Sequence, residues 1–347
     1  MTKKIPLILF GGSSEERMVS VASAQNLSIH LPEAELWFMS PKGEVYSVSR
    51  SELAMHLNAF TTQFVPSTLP FAGSLDKTLD LLKDKIVILA LHGTEGEDGG
   101  IQTILEINHI PFTGSGSSSS RMCFDKKLTK ENAKLAHLPV ADDLFVAKPQ
   151  DELGQAALRK FFQHNPHMVL KPVANGSSVG LFIIHSSKEF ESALSKLKTN
   201  LAGAYLAETF LEGREITVGV CQTENHGARA LPCSEVELVK GRQFDYEGKY
   251  LGHGVRELTP APISIEESQK CQELAVKMHK LMNCSGYSRT DMILTSKGPI
   301  LLEINTLPGL SKASFLPQQV MANGENLRDF FLKQIEFAQE RYRQKVT

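Results

Sequence analysis

Short unbroken apolar runs alternate with glycine-rich and amphipathic stretches through the first third of the chain. IPLILF at 5–10 enters GGSSEE, after which helical spacing turns Val19, Ala22 and Leu27 to one side. KIVILALHG at 85–93 repeats the order, a buried run followed by the polar, glycine-rich HGTEGEDGG. Continuous apolar strands followed by helices predict a parallel α/β sheet. Such sheets bind ligands beyond the carboxyl ends of their strands, which makes Glu16 and His92 candidate site edges.

Farther on the pattern changes. TGSGSSSSR at 113–121 is the sharpest compositional break, and it reads as a flexible linker or as a loop that orders around a ligand. A helix over DKKLTKENAKLAHL follows, ending before Pro139. Then come a strand MVLKP, a loop VANGSSVG, a strand LFIIH and a serine-capped helix SKEFESALSKLK. After AYLAETFLEG the strands lengthen to REITVGVCQ and ARALPCSEVEL. A polar loop is expected over 240–260, a helix over 266–282 and a hairpin over 287–305. Three domains are expected, roughly 1–115, 116–210 and 211–347, with no internal repeat.

Composition narrows the partners. Lys and Arg number 37 against 39 Asp and Glu, so no strong field favours nucleic acid or an anionic membrane. Any anion must therefore be held by local donors. The five cysteines are scattered and lack a C-x-x-C pair, which argues against a disulfide framework or a zinc site and fits a reducing cytosol. No run approaches the roughly 18 apolar residues of a membrane span, and IPLILF is too short for a signal peptide. A cytoplasmic protein is expected.

The hairpin carries the clearest chemistry. YSRTDMIL and PILLEIN flank the turn TSKG, and strand side chains alternate faces. A register centred near Lys297 sets Asp291 opposite Glu303 and Arg289 opposite Asn305. Two carboxylates and an amide oxygen then converge as a hard cation such as magnesium requires, and without one the carboxylates would repel. The alternative is a polar face on an exposed strand, which the neighbours Met292, Leu302 and Ile304 disfavour. VLKPVANGSSVG places Lys171 at a strand end before a small-residue loop, either a phosphate grip or an ordinary hairpin. No Walker A pattern occurs. FDYEGKYLGHG at 244–254 reads as a lid or as a plain surface loop. Glu15 and Glu16 at a helix start are, taken alone, complements to the helix dipole, and His92 alone is an ordinary loop histidine.

Taken in order, GGSSEER, HGTEGEDG, TGSG, DKKLTK, LKPVANGSSVG, AETFLEGRE, DYEGKY, SRTDMIL and EINTLPG resemble the D-alanine–D-alanine ligases of the ATP-grasp superfamily, over about residues 5–340. The resemblance implies a mixed α/β (α+β) chain: a Rossmann-like parallel α/β domain followed by an ATP-grasp pair. It implies two D-alanine molecules joined through an acyl phosphate, with ATP giving ADP and phosphate, for peptidoglycan precursor synthesis. Lys126 and Lys171 would contact phosphates, Glu208 and Leu211 adenine, and Glu215 ribose. Asp291, Glu303 and Asn305 would bind two magnesium ions, with manganese as a substitute. Glu16 would pair with the first ammonium, and His92 would position or deprotonate. Lys249 and Arg289 would serve phosphoryl transfer. Arg289 and the Gly309 N–H would hold the oxyanion. Ser177 and Tyr250 would latch the lid to Glu16, with Ser178 supporting that loop.

Ser314 would take the second carboxylate, beside Phe315. A homodimer is also implied. Two departures stand out: Leu310-Ser311-Lys312-Ala313-Ser314-Phe315 where the family commonly reads Met-Thr-x-x-Ser-Leu, and Thr209 where lysine is frequent. These put the second substrate and the adenine contacts in question. Rival readings are a ligase that uses D-lactate or D-serine second, and an ATP-grasp-like protein that binds nucleotide without catalysis. A dinucleotide-binding dehydrogenase is disfavoured because FGGSSEE lacks the later glycines of that fingerprint.

Overall fold

The computed structural model describes residues 4–174, 180–199, 203–224, 227–238 and 255–346. The first sheet is built from β1 (Ile5–Gly11), β2 (Glu35–Met39), β3 (Val45–Ser47) and β4 (Lys85–Leu89), in the order β3-β2-β1-β4. β1 runs parallel to both β2 and β4, as its unbroken apolar run predicts, and Leu7 to Phe10 are fully buried. The helices of this unit are α1 (Arg17–His30), α2 (Arg50–Met55), α3 (Leu79–Leu82) and α4 (Gly100–Ile107).

The serine-rich segment is neither linker nor loop. Residues Ser117–Phe124 form helix α5, with Ser119 and Ser120 buried, and α6 (Lys126–Leu135) follows after Asp125, whose carboxylate caps it by accepting from Leu128 N–H at 3.0 Å. Ser119 Oγ donates to the Asn283 carbonyl at 2.6 Å, and Ser115 Oγ accepts from Ser285 N–H at 3.0 Å. Small hydroxyl side chains let α5 lie close on the neighbouring turn, a tertiary reason for a composition that locally reads as coil.

The second sheet holds β5 (Asp143–Val146), β6 (Met168–Pro172), β7 (Phe182–Ile184) and β8 (Tyr205–Thr209) in the antiparallel order β5-β8-β6-β7. It is flanked by α7 (Glu152–His164) and α8 (Ser187–Thr199). The third comprises β9 (Arg214–Gln222), β10 (Ala228–Ala230), β11 (Ser234–Leu238), β12 (Val255–Leu258), β13 (Tyr287–Thr295) and β14 (Gly298–Asn305), in the order β12-β11-β9-β13-β14 with β10 on β9. Its helices are α9 (Ile265–Leu281), α10 (Phe315–Ala322) and α11 (Leu327–Val346). α9 opens on a reciprocal capping box between Ser264 and Glu267.

Two expectations need correction here. The segment ARALPCSEVEL is not one strand, because Pro232 has no N–H to give and the ladder breaks between β10 and β11. The side chain of Gln319 fills the gap: its Nε2 donates to the Thr217 carbonyl at 2.9 Å, and its Oε1 accepts from Gly219 N–H at 2.9 Å. A Cβ on Gly219 would lie 2.6 Å from that oxygen, so the bond requires glycine. The loop expected over 240–260 contains a strand, β12, which pairs with β11.

The apolar clusters cross the chain's length. Ile8, Phe10 and Leu27 share one core with Cys221, Tyr287, Leu310, Leu316, Phe330 and Phe331. Cys123 and Ala133 of α5 and α6 share another with Ile216, Met292 and Leu301 of the third sheet.

Candidate active site

The β13–β14 hairpin has the register that alternation and its short turn require, with Asp291 opposite Glu303 and Arg289 opposite Asn305. A shift between Asp291 and Met292 marks a bulge, a device that re-aims side chains beside sites. The facing carboxylates do not repel unopposed. Arg289 forks onto Asp291 through Nε (2.9 Å to Oδ1) and NH2 (2.7 Å to Oδ2), and Thr217 Oγ1 donates to Oδ1 at 2.5 Å. Glu303 faces Lys126 Nζ at 3.2 Å. Asn305 Oδ1 accepts from Leu307 N–H at 2.9 Å. Among the described residues no three His, Cys, Asp or Glu side chains converge as a metal cage. Two carboxylates and an amide suit a hard cation that keeps phosphate and water in its other positions.

α6 joins this edge to the middle sheet. Lys126 begins the helix, its N–H donating to the Val173 carbonyl at 3.1 Å. One turn on, buried Lys130 sits 2.9 Å from Glu208 Oε1, and Lys171 of β6 lies 2.9 Å from the same oxygen. Burial opposes the Glu208 charge, but Lys171 and Lys130 outweigh it and hold the carboxyl below its usual range. Burial likewise opposes the Lys171 charge, and Glu208 and Glu303, with Asp143, more than restore it.

His92 stands at the end of the first sheet, buried. Its Nδ1 lies 2.9 Å from the Leu307 carbonyl, which can only accept, so the ring carries its proton there. Nε2 then receives the Ser23 hydroxyl at 2.9 Å, and Ser23 Oγ accepts from Leu310 N–H at 3.0 Å. Burial lowers the imidazole pKa, with the Glu16 charge pushing back. Asn26 Nδ2 donates to the Leu310 carbonyl at 2.7 Å. α1 and the 306–310 turn are thus tied through His92.

The charges of Glu16, Arg289 and Glu303 all act on Glu97, so the ends of the first and third sheets border one chamber, in which Glu97, Arg289 and Glu303 are half-buried. Glu16 borders it at the N-cap of α1. Beyond the 306–310 turn, Ser314 is the N-cap of α10, where Pro317 removes one N–H that a cap would serve, and its hydroxyl lies 2.8 Å from Ser311 Oγ. A Cβ on Gly309 would lie 2.5 Å from Ser314 Oγ, so this turn packs directly on the start of α10. Phe315 is half-buried beside it, as are Leu211, just before β9, and Glu215, on β9 two residues before Thr217.

Two family models match the chain: D-ala D-ala ligase N-terminus over residues 6–115 and D-ala D-ala ligase C-terminus over residues 133–336. A curated D-alanine--D-alanine ligase of Sinorhizobium fredii is 35% identical, covering 97% of this chain and 99% of its own. In fold, the chain is similar to a D-Ala:D-Ser ligase, VanG, from Enterococcus faecalis (TM-score 0.79, 25% identity, 97% of this chain and 100% of that one). It is also similar to a D-alanine--D-alanine ligase from Bacillus anthracis complexed with ATP (TM-score 0.73, 24% identity, 99% and 100%). The chain belongs to the D-alanine–D-alanine ligase family.

Its fold is the ATP-grasp fold preceded by a parallel α/β unit. Within this ligase the structure brings Glu16, His92, Arg289, Asp291, Glu303 and Lys126 to one chamber and Lys171 and Glu208 to its neighbouring wall. Ser177, Ser178, Lys249 and Tyr250, with the whole of the expected lid loop at 244–254, lie outside the described residues. Sequence reading passed over Lys130, Thr217, Ser23 and Glu97. Glu97 stood in plain view in HGTEGEDGG, five residues after His92 on the same loop.

Glu97 gives the ligase a pH signature. Burial, then the Glu16 charge, pushes its carboxyl from 4.5 up to about 8, although Gly93 N–H donates to it at 3.1 Å. The folded chain therefore keeps a proton that the unfolded chain loses above 4.5, and folding is penalised progressively as pH climbs towards 8. Glu97→Gln should raise the melting temperature by about 2–4 °C at pH 8 and leave it unchanged at pH 4. Parallel melting curves at both pH values would contradict the assignment.

Proposed function

We propose that this chain joins two D-alanine molecules into D-alanyl-D-alanine, with ATP giving ADP and phosphate. The carrying observation is the Asp291–Glu303 pair facing across a hairpin, with Arg289 and Lys126 as its cations, beside the chamber of Glu16, His92 and Glu97. One D-alanine carboxylate attacks the γ-phosphate of ATP, giving an acyl phosphate and ADP. The amine of the second attacks that carbonyl and expels phosphate.

Lys126 and Lys171 meet the phosphates, Glu208 and Leu211 the adenine, and Glu215 the ribose. Asp291, Glu303 and Asn305 would hold magnesium, or manganese in its place. The metal, when bound, neutralises phosphate charge, which phosphoryl transfer demands. Arg289 and the Gly309 N–H then face the tetrahedral oxyanion. Glu16, at the N-cap of α1, pairs with the first substrate's ammonium. Both ring nitrogens of His92 are engaged, which supports a positioning role over proton abstraction. Ser314 and the open N–H groups of the first turn of α10 suit the second carboxylate. Lys249, Ser178, Ser177 and Tyr250 are assigned to the phosphates and to the lid latch on the family likeness alone. A homodimer, a cytoplasmic location and a place in peptidoglycan precursor synthesis rest on the same ground.

D-serine as the second substrate is the alternative, favoured by the likeness to the D-Ala:D-Ser ligase. ADP release with D-alanine alone, with added D-serine or D-lactate, and with L-alanine, followed by product mass, decides between them. D-alanyl-D-alanine as main product, abolished by excess chelator and restored by magnesium, is the expected result. A mixed dipeptide would transfer the assignment to D-serine, and no ADP with any pair would remove catalysis.

A further inference from the structure

We propose that Lys130 is a positioning residue for nucleotide binding, the counterion that keeps Glu208 anionic and in place so that Lys171 is free to serve the phosphates. The inference rests on the reading above, in which Lys171 meets phosphate and Glu208 meets adenine. Lys130, Lys171 and Glu208 are only 1%, 7% and 3% exposed, and both ammonium groups lie 2.9 Å from one oxygen, Glu208 Oε1. Without nucleotide that carboxylate has two cations. If Lys171 turns to a triphosphate, Glu208 would be left buried and unpaired but for Lys130, and an uncompensated buried charge is strongly unfavourable. Lys130 removes the conflict, since one carboxylate need not hold the lysine that the phosphate also needs.

The wider cluster supports this division. Asp143, the cross-strand neighbour of Glu208 on β5, lies 3.8 Å from Lys130 and 2.7 Å from Lys134, so its charge is met chiefly by Lys134. Lys130 is thereby committed to Glu208. Lys171 is also in the field of Glu303 at the metal edge. Lys126 and Lys130 are one helical turn apart on α6, so the helix supplies one cation to each edge of the cleft.

The test uses the full chain, with ATP affinity read by calorimetry using a non-hydrolysable ATP analogue with magnesium, and with steady-state kinetics alongside. Lys130→Met should raise KM for ATP and the analogue's Kd by tenfold or more, with kcat at saturating ATP and KM for D-alanine within about threefold. Lys130→Arg keeps the charge and should restore most of the affinity; it also serves should the methionine variant not fold. Coupling to Glu208→Gln should be strong, the second change adding little to the first. Unchanged ATP affinity in Lys130→Met, or equal losses for both substrates, would overturn the inference. A control separates it from its premise. If Lys171→Met weakens ATP binding and Lys130→Met does not, only this inference falls. If Lys171→Met binds ATP normally, the premise itself falls.

Discussion

Arg289→Met should slow dipeptide formation at least a hundredfold, the scale on which losing one oxyanion donor acts. The guanidinium is held by two bonds to Asp291, with Thr217 closing the far side of the same carboxylate. A rigid fork is what a developing oxyanion needs, because it costs little reorganisation at the moment of reaction. Arg289→Lys keeps one charge and loses the fork, so it should recover only part of the rate. The change also bares a buried carboxylate. Asp291 would face Glu303 without its cation, a loss of about 3 kcal/mol or more in stability. Magnesium should offset part of that, so it should raise the melting temperature of Arg289→Met more than that of the parent. Equal magnesium shifts in the two proteins would mean that Asp291 is no ligand, and a near-parental rate would remove Arg289 from the chemistry.

Glu303→Gln should reduce turnover by about a thousandfold or more, since it removes charge from the metal edge while keeping shape and backbone. The side chain lies across from Asp291 and against Lys126, so an isosteric amide leaves the hairpin packed while Lys126 loses its anion. The loss should therefore appear in ADP formation with little change in melting temperature. Raising magnesium should recover part of it if the residue binds metal. Turnover near the parental value at ordinary magnesium would take Glu303 out of the site, and an insensitive deficit would point to Lys126 as the true casualty.

The hairpin was legible because its turn is short and its faces alternate, so pairing one residue fixes the rest. The bulge was not, since Leu302 gives no local sign of being skipped. The first sheet was readable from its apolar runs, whereas α5 was hidden because serine and glycine locally favour coil, and only its docking on the 283–285 turn makes it a helix. Lys171 stood out at a strand end. Lys130 did not, because a lysine inside an amphipathic helix looks solvent-facing until Glu208 and Lys171 arrive from two strands of another sheet. His92 was named, but its partners are Ser23 and Leu307, far apart in sequence, so its part as a tie was unreadable. Distance along the chain is the common factor: what depended on neighbours within a turn or a hairpin was visible, and what depended on three-way meetings was not.

The core beneath β1 has a consequence for how the chain is made. Ile8 and Phe10 are synthesised well over 300 residues before Phe330 and Phe331, against which they finish packing. At about 5–20 residues per second the opening strands wait on the order of tens of seconds with an oily face uncovered. Nascent chains halted before α11 should therefore bind chaperone and stay sensitive to protease, while chains extended past it should gain native-like protection.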